Sequence, residues 1–294
     1  MLVKNCFNYV GSKDRIFPTI DKNLDKGKKY FFDVFCGGAV VGINEVNTYD
    51  RIYFNDLCWQ LTEIMKYFRD TDWGVLIGEI DAYIREYELS KENKEGYLSL
   101  RDFYNMNHAQ KENFNPALFY TLIMYSFNNL IGANKLGEFN VPFGKGRSSF
   151  NSSLRAKLEN FQQILKSNCN KIVICSKDFS DLIHEAENII PDSMFYLDPP
   201  YLASDSSYNR VYYTKWDGTK ERKLYETLDF INDKGGSFLL SNVTENNGTI
   251  NETLIEWSKK YTVVDISTDY SNCNYQRKNL GNTREVLIRN YDIE

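Results

Sequence analysis

The chain has 294 residues, 42% of them hydrophobic and 26% charged, with a formal net charge of -5; this composition suits a folded α/β-sized domain and excludes disordered, collagen-like and disulfide-scaffold classes. The negative net charge argues against indiscriminate nucleic-acid binding, yet leaves room for a local basic face, because phosphate contacts need only a few clustered cations. Six cysteines without a CxxC pair, no apolar run of membrane length, no leader pattern and only His108 and His184 as imidazoles predict a cytoplasmic protein with no membrane segment and no metal site.

In chain order, Asn8, Tyr9, Val10, Gly11, Ser12 and Lys13 make a Gly-Ser turn at the start of an amphipathic helix marked by Ile16, Ile20 and Leu24. Such a turn either caps a helix or holds an anion. A β-favouring run at 30–35 then feeds Asp33, Val34, Phe35, Cys36, Gly37, Gly38 and Ala39, followed by an apolar helix start at Val40, Val41, Gly42 and Ile43. A strand, a glycine turn and a helix let a nucleotide-like ligand approach the backbone at the switch point of a doubly wound sheet. The full GxGxxG is absent, so no pyrophosphate cradle is predicted. Asp56, after a short strand at 52–54, serves either ribose hydroxyls or the N-terminus of a helix over 57–68.

More than a hundred residues of different character come next. Helical periodicity runs through Leu76, Ile77, Ile80 and Ile84, through Tyr97, Leu98, Leu100 and Phe103, and over 118–127, which predicts an inserted helical subdomain. Its early part, 70–95, holds eight Asp/Glu against Arg85, Lys91 and Lys94, the pattern of a solvated outer face. Its end is basic: Lys135, Lys145, Arg147, Arg155, Lys157, Lys166 and Lys171 face only Glu138 and Glu159. Together with Phe127, Asn128 and Asn129 and a Gly/Ser/Asn-rich loop, this region reads as a nucleic-acid surface.

Later apolar runs place strands near 171–175, 194–197, 237–240, 262–266 and 285–289, seven in all with the first two. The stretch Tyr196, Leu197, Asp198, Pro199, Pro200, Tyr201 closes one of them, where a strand of an open α/β sheet delivers its loop to the ligand crevice. Two prolines stiffen the turn and remove two N–H donors, which leaves acceptor carbonyls beside the Asp198 carboxylate. That arrangement suits activation of a planar amino group: Asp198 and the Pro199 carbonyl each accept one N–H, and Tyr201 stacks on the ring, a contact worth ~1–3 kcal/mol per base. Residues 202–219, with Tyr208, Arg210, Tyr212, Tyr213 and Trp216, read as a lid or substrate wall. Ser241, Asn242, Val243 and Thr244 open on the same edge.

NYVGSK at 8–13, FFDVFCGG at 31–38, the pair Asn55 and Asp56, GEFNVPFGK at 137–145, YLDPPY at 196–201, LLSN at 239–242 and NTREVLIRN at 282–290 together resemble, in that order, the Dam-type DNA adenine methyltransferases of bacteria and phages (D12 class, alpha subgroup). The resemblance implies a Rossmann-like seven-stranded methyltransferase sheet with the last strand antiparallel. It divides the chain into a catalytic S-adenosylmethionine-binding domain, 1–56 and 166–294, and an inserted helical DNA target-recognition domain, 57–165. Tyr9 and Lys13 would flank the methionine part of the cofactor, Asp33 and the Phe35, Cys36, Gly37, Gly38 turn would back it, Asp56 would take the ribose, and Phe179 with Asp178 would meet the adenine. Asp198, Pro199, Pro200 and Tyr201 would hold a target adenine flipped from double-stranded DNA, with Asp198 also facing the cofactor, and no metal would be needed.

By the same resemblance Phe127 and Asn128 wedge the duplex, while the charge of the basic segment predicts that Lys145, Arg147 and Arg155 meet phosphates. Relatives that read GATC carry an arginine where this chain has Gly132; a bidentate arginine is worth ~1–3 kcal/mol of discrimination. The expected site is therefore a short sequence that is not reliably GATC, read by Asn128, Asn129, Asn134 and Lys135; the alternative is that Gly132 is only a turn glycine and GATC is read through its neighbours. The free protein is expected to be a monomer in the cytoplasm of a bacterium or phage-infected cell. Rival readings are a methyltransferase acting on RNA or on a protein glutamine, and a DNA-binding relative without activity.

Overall fold

The predicted strands form in the computed structural model as β1 (Tyr30–Asp33), β2 (Arg51–Asn55), β3 (Ile172–Cys175), β4 (Ser193–Leu197), β5 (Ser237–Asn246), β7 (Thr262–Asp265) and β8 (Thr283–Arg289), joined by a two-residue β6 (Thr249–Ile250). The structure describes residues 2–7, 11–134, 136–202, 216–246, 248–266 and 283–293. Among these, one sheet runs β3-β2-β1-β4-β5-β8-β7, with β6 paired to β5 off this path. β1 to β5 are parallel, whereas β8 runs antiparallel to both β5 and β7. The sheet is thus mixed α/β with an antiparallel last strand. It holds one strand more than the seven predicted, because β6 is too short to carry a periodic signal.

The strands read as apolar runs because both faces of the sheet are covered. Side chains alternate between two cores: Phe31, Met194, Tyr196, Leu239 and Leu287 point into one, and Phe32, Phe195, Leu197, Phe238, Leu240, Val286 and Ile288 into the other. Helices α8 (Phe179–Glu185), α9 (Gly218–Asp233) and α10 (Glu252–Ser258) cover the second face with Leu182, Leu224, Leu228, Ile231 and Leu254. The first face takes α1 (Phe17–Lys22), α2 (Val40–Asn44) and the helices of the long insertion, α3 (Trp59–Asp70), α4 (Trp73–Glu86), α5 (Lys94–Asn107), α6 (Pro116–Tyr125) and α7 (Ser152–Ser167).

Within the insertion α6 is the axis. Pro116 stands at its first turn and Asn115 caps it by accepting from the Leu118 N–H, a strong start signal. All nine residues from Ala117 to Tyr125 are buried, so the helix is apolar on every side and other helices enclose it. The insertion and the sheet share one continuous core: Phe7 meets Phe68, Tyr120 and Phe161 at 5.7–6.5 Å between ring centroids. Both histidines lie at helix ends, His108 capping α5 and His184 in the last turn of α8. No helix of the described residues is long and apolar enough to cross a membrane.

Candidate active site

The order of strands reverses between β2 and β4 on either side of β1, which opens a crevice at their carboxyl ends. Asp198 enters it directly after β4. Its Oδ2 lies 2.9 Å from Lys13 Nζ, its Oδ1 accepts from the Tyr201 hydroxyl at 2.9 Å, and Lys13 Nζ donates to Tyr201 Oη at 3.0 Å. Three side chains, the outermost 188 residues apart in sequence, thereby close a ring at the proline turn. The Lys13 and Asp198 side chains are only 11% and 19% exposed, so their attraction is weakly screened. Burial pulls the Lys13 ammonium's pKa down, but Asp198, with Tyr201 and Tyr196, outweighs it and holds the group well above the usual lysine range. Lys13 stays charged and pairs with the carboxylate beside it. Burial, then Asp198, push the Tyr201 phenol up, so it remains a donor.

Asp33 lies beneath this ring, 2% exposed, at the end of β1. Burial raises its carboxyl to about 7 against the hydrogen bond from Gly42 N–H at 2.9 Å, and the charges of Asp198 and Asp56 add to the rise. A β-carbon on Gly42 would fall 2.4 Å from the Phe54 ring, so only glycine lets α2 approach the strand this closely. Asp56 binds the glycine turn: its Oδ2 accepts from Gly37 N–H and its Oδ1 from Cys58 N–H, each at 2.8 Å. It thus tethers the turn to the segment leading into α3, whose N-cap is Cys58, and the helix starts two residues later than 57. Burial pushes the Cys36 thiol well above its usual range, which makes it packing and not a nucleophile.

Beside the turn, Phe35, Phe179 and Trp216 form an aromatic cleft, with Asn55, Asp178 and Pro200 among its lining. The rings stand 5.6–5.9 Å apart at interplanar angles of 36°, 79° and 47°. Asp178 caps α8 and pairs with Lys223, whose ammonium also lies 5.5 Å from the Phe179 ring centroid. Pro200 makes the cleft continuous with the Asp198 turn. Asn55, part of the family motif but assigned no role from the sequence, donates to the carbonyls of Val34 and Lys177 and accepts from Lys177 N–H. Among the described residues, no group of three His, Cys, Asp or Glu could hold a metal ion. Tyr9 and the lid residues Tyr208, Arg210, Tyr212 and Tyr213 lie outside the described residues.

A profile of D12 class N6 adenine-specific DNA methyltransferases matches residues 9–272. The chain belongs to that family. It is 37% identical to the Type II methyltransferase M.FokI of Planomicrobium okeanokoites, over 98% of this chain and 43% of that protein. It is 34% identical to the modification methylase StsI of Streptococcus sanguinis, over 99% of this chain and again 43% of the relative. The Type II methyltransferase M1.LlaDCHI of Lactococcus lactis subsp. cremoris aligns over 99% of both chains at 25% identity. The chain therefore spans less than half the length of the first two.

Around this D12-class core, the residues predicted to face DNA separate into two groups. Phe127, Asn128 and Arg147 come together: Arg147 lies 5.3 Å from the Phe127 ring centroid and 3.4 Å from Asn128 Oδ1. Phe127 N–H bonds to the Pro142 carbonyl at 2.7 Å and Ser126 bridges Phe143, which fixes the turn against the loop carrying exposed Lys145. The others are engaged inside the fold. Asn129 is buried and donates to the carbonyls of Ile123 and Met124, closing the end of α6. Asn134 pairs with Glu138 at 2.6 Å and accepts from the Leu136 and Glu138 N–H groups, shaping a turn. Arg155 makes a two-pronged ion pair with Asp81 and lies 5.1 Å from the Phe150 ring centroid. Gly132 is buried, and Lys135 lies outside the described residues.

Proposed function

We propose that the protein is a site-specific DNA N6-adenine methyltransferase that takes its methyl group from S-adenosylmethionine and its target adenine, flipped out, from double-stranded DNA. One observation carries the reading: the carboxylate–ammonium–phenol ring at Asp198 opens, through Pro200, into an aromatic cleft. Phe35, Phe179 and Trp216 offer flat faces for a purine, while the Gly37–Gly38 turn lets a ligand approach the backbone, so the residues present fit the cofactor. When bound, S-adenosylmethionine supplies an activated methyl group together with its leaving group.

The chain's own residues do the rest. Lys13 pairs with Asp198 and fixes its carboxylate at the proline turn. In the free protein the Tyr201 hydroxyl satisfies Asp198 Oδ1; on target binding an amine N–H takes that place, and the Pro199 carbonyl accepts the second N–H. The amine lone pair is then directed out of the ring plane, and the carboxylate stabilises the positive charge that develops on nitrogen. Base extrusion costs a few kcal/mol, which contacts at the Phe127–Asn128 turn and the Lys145–Arg147 loop offset.

Residues 57–165 would act as the target-recognition part and the rest as the catalytic part. The relatives' names, Type II methyltransferase and modification methylase, support a role as the modification partner in a restriction system. The reading places the protein in the bacterial cytoplasm as a monomer in the free state. Incubation with methyl-labelled S-adenosylmethionine and duplex DNA should give N6-methyladenine at one short site, with sequencing of DNA from expressing cells identifying its flanks. Label in RNA or protein and never in DNA would overturn the proposal.

A further inference from the structure

Glu221 is a carboxylate in an unusual place. It stands in the first turn of α9, is 1% exposed, and is ion-paired with no lysine or arginine among the described residues. Four neutral donors surround it instead. Oε1 accepts from the Tyr225 hydroxyl, from Asn242 Nδ2 at 3.4 Å and from Asn251 Nδ2 at 3.2 Å, whereas Oε2 accepts from the Trp216 indole N–H. A buried carboxylate is tolerated only when its lone pairs are satisfied, and hydrogen bonds to the charged form favour that form. The N-terminal end of α9 adds a favourable dipole.

The distribution of donors has a consequence. Three of them converge on Oε1 and are held by three different elements, α9, β5 and the cap of α10, so that side of the carboxylate is fixed. The fourth, on Oε2, is the ring that walls the aromatic cleft, 5.8 Å from Phe35 and 5.9 Å from Phe179. Trp216 precedes the Asp217 cap of α9 and is only half-buried, so packing alone leaves its orientation loose.

We propose that Glu221 is a positioning residue for cofactor recognition: its carboxylate holds the Trp216 ring on edge to Phe35 and tilted against Phe179 and thereby shapes the cleft for a purine. The inference rests on the cleft being the cofactor site. It predicts the behaviour of the isosteric amide. In Glu221→Gln the amide oxygen satisfies the three converging donors, and the amide NH2 is turned toward the indole N–H; two donors then face each other and Trp216 swings away.

The test is calorimetric titration of the purified chain with S-adenosylmethionine, alongside steady-state kinetics and thermal unfolding. Glu221→Gln should raise the cofactor Kd and KM at least tenfold, change kcat at saturating cofactor less than threefold, and leave the Kd for duplex DNA unchanged. Trp216→Phe should raise the cofactor Kd similarly, and adding Glu221→Gln to it should change Kd less than twofold more, since the coupled contact is already gone. Tyr225→Phe, which removes a donor on the far side of the carboxylate, should lower Tm and leave the cofactor Kd within twofold. A folded Glu221→Gln variant binding the cofactor as tightly as wild type would overturn the proposal, as would equal weakening by Glu221→Gln and Tyr225→Phe. Should Glu221→Gln not fold, an unchanged Kd in Trp216→Phe overturns it. A wild-type chain that binds no S-adenosylmethionine overturns the reading of the cleft and this inference together; the variant results bear on this inference alone.

Discussion

Asp198 is held by a charge on one side and a phenol on the other, so its two oxygens are satisfied before any substrate arrives. Asp198→Asn should therefore leave the fold and much of the cofactor affinity intact while lowering kcat by ~10²–10⁴, because the carboxylate matters most to the charge that develops on the amine. An unchanged kcat in this variant would remove Asp198 from the chemistry. Asp33 makes a different demand. Its carboxyl, about 7 in the fold against an ordinary 3.8, keeps a proton that the unfolded chain has released between those values, so its stabilisation is complete below the lower value and lost as pH rises through the upper one. Asp33→Asn keeps the acceptor for Gly42 N–H and removes this dependence. Urea denaturation from pH 4 to 8 should show the stability difference moving in the variant's favour as pH rises; a constant difference would mean that the native carboxyl is already ionised.

Single elements are decided by burial. α6 has every residue after its first proline inside the core, so Phe119→Ala should cost ~3–5 kcal/mol, the range for a large-to-small change that leaves a cavity. Chemical denaturation would measure it, and a loss below ~1 kcal/mol would mean that the helix collapses around the gap. The helix stops at Tyr125 although periodicity carries the apolar pattern to 127. The stop lies in the backbone: Ser126 turns extended, Asn128 and Asn129 beyond it both take φ of 53°, and the Asn129 amide bonds the Ile123 and Met124 carbonyls. Asn129→Ala should destabilise by ~1–3 kcal/mol by removing the Asn129 donor from the Met124 carbonyl, without shifting the methylated sequence. A changed target site in that variant would restore Asn129 as a base reader.

For the molecule as a whole, the proposed function requires an acidic chain to meet a polyanion, and the described cations at the Phe127 turn are Lys145 and Arg147. Reversing each charge should weaken binding to all duplex sequences alike and reduce the slope of log K against log salt by ~0.9 per lost phosphate contact. Arg155 should behave otherwise. Its partner Asp81 and the Phe150 ring hold it in the insertion, so Arg155→Ala should lower stability by ~0.2–1 kcal/mol, as expected for a partly exposed pair, and leave the salt slope as it was. A slope that falls with Arg155→Ala would show that the ion pair opens on DNA.

Much of this protein was readable from its residues because the signals are local. Strand runs, glycine turns, the proline pair at 199–200 and the ordered motifs each depend on neighbours within a few positions, and they sufficed for the α/β sheet, the helices between β2 and β3 and the adenine methyltransferase family. What the residues alone left open depends on partners far away in sequence. Arg155 looks like any cation of a basic loop until Asp81, 74 residues earlier, is seen beside it. Asn129 and Asn134 are polar and suited to base edges by type, yet burial and backbone carbonyls claim the first, and Glu138 with two backbone N–H groups of its own turn claims the second. Asp56 has two plausible duties by sequence, and its actual bonds to Gly37 and Cys58 follow from where β2 ends beside β1. Glu221 carried no signal at all, since an acid in the first turn of a helix is ordinary; only the convergence of α9, β5 and α10 turns it into a buried carboxylate among four donors. Side-chain type sets what a residue can do, and the competition among distant donors, acceptors and charges for it is settled only when the chain is folded.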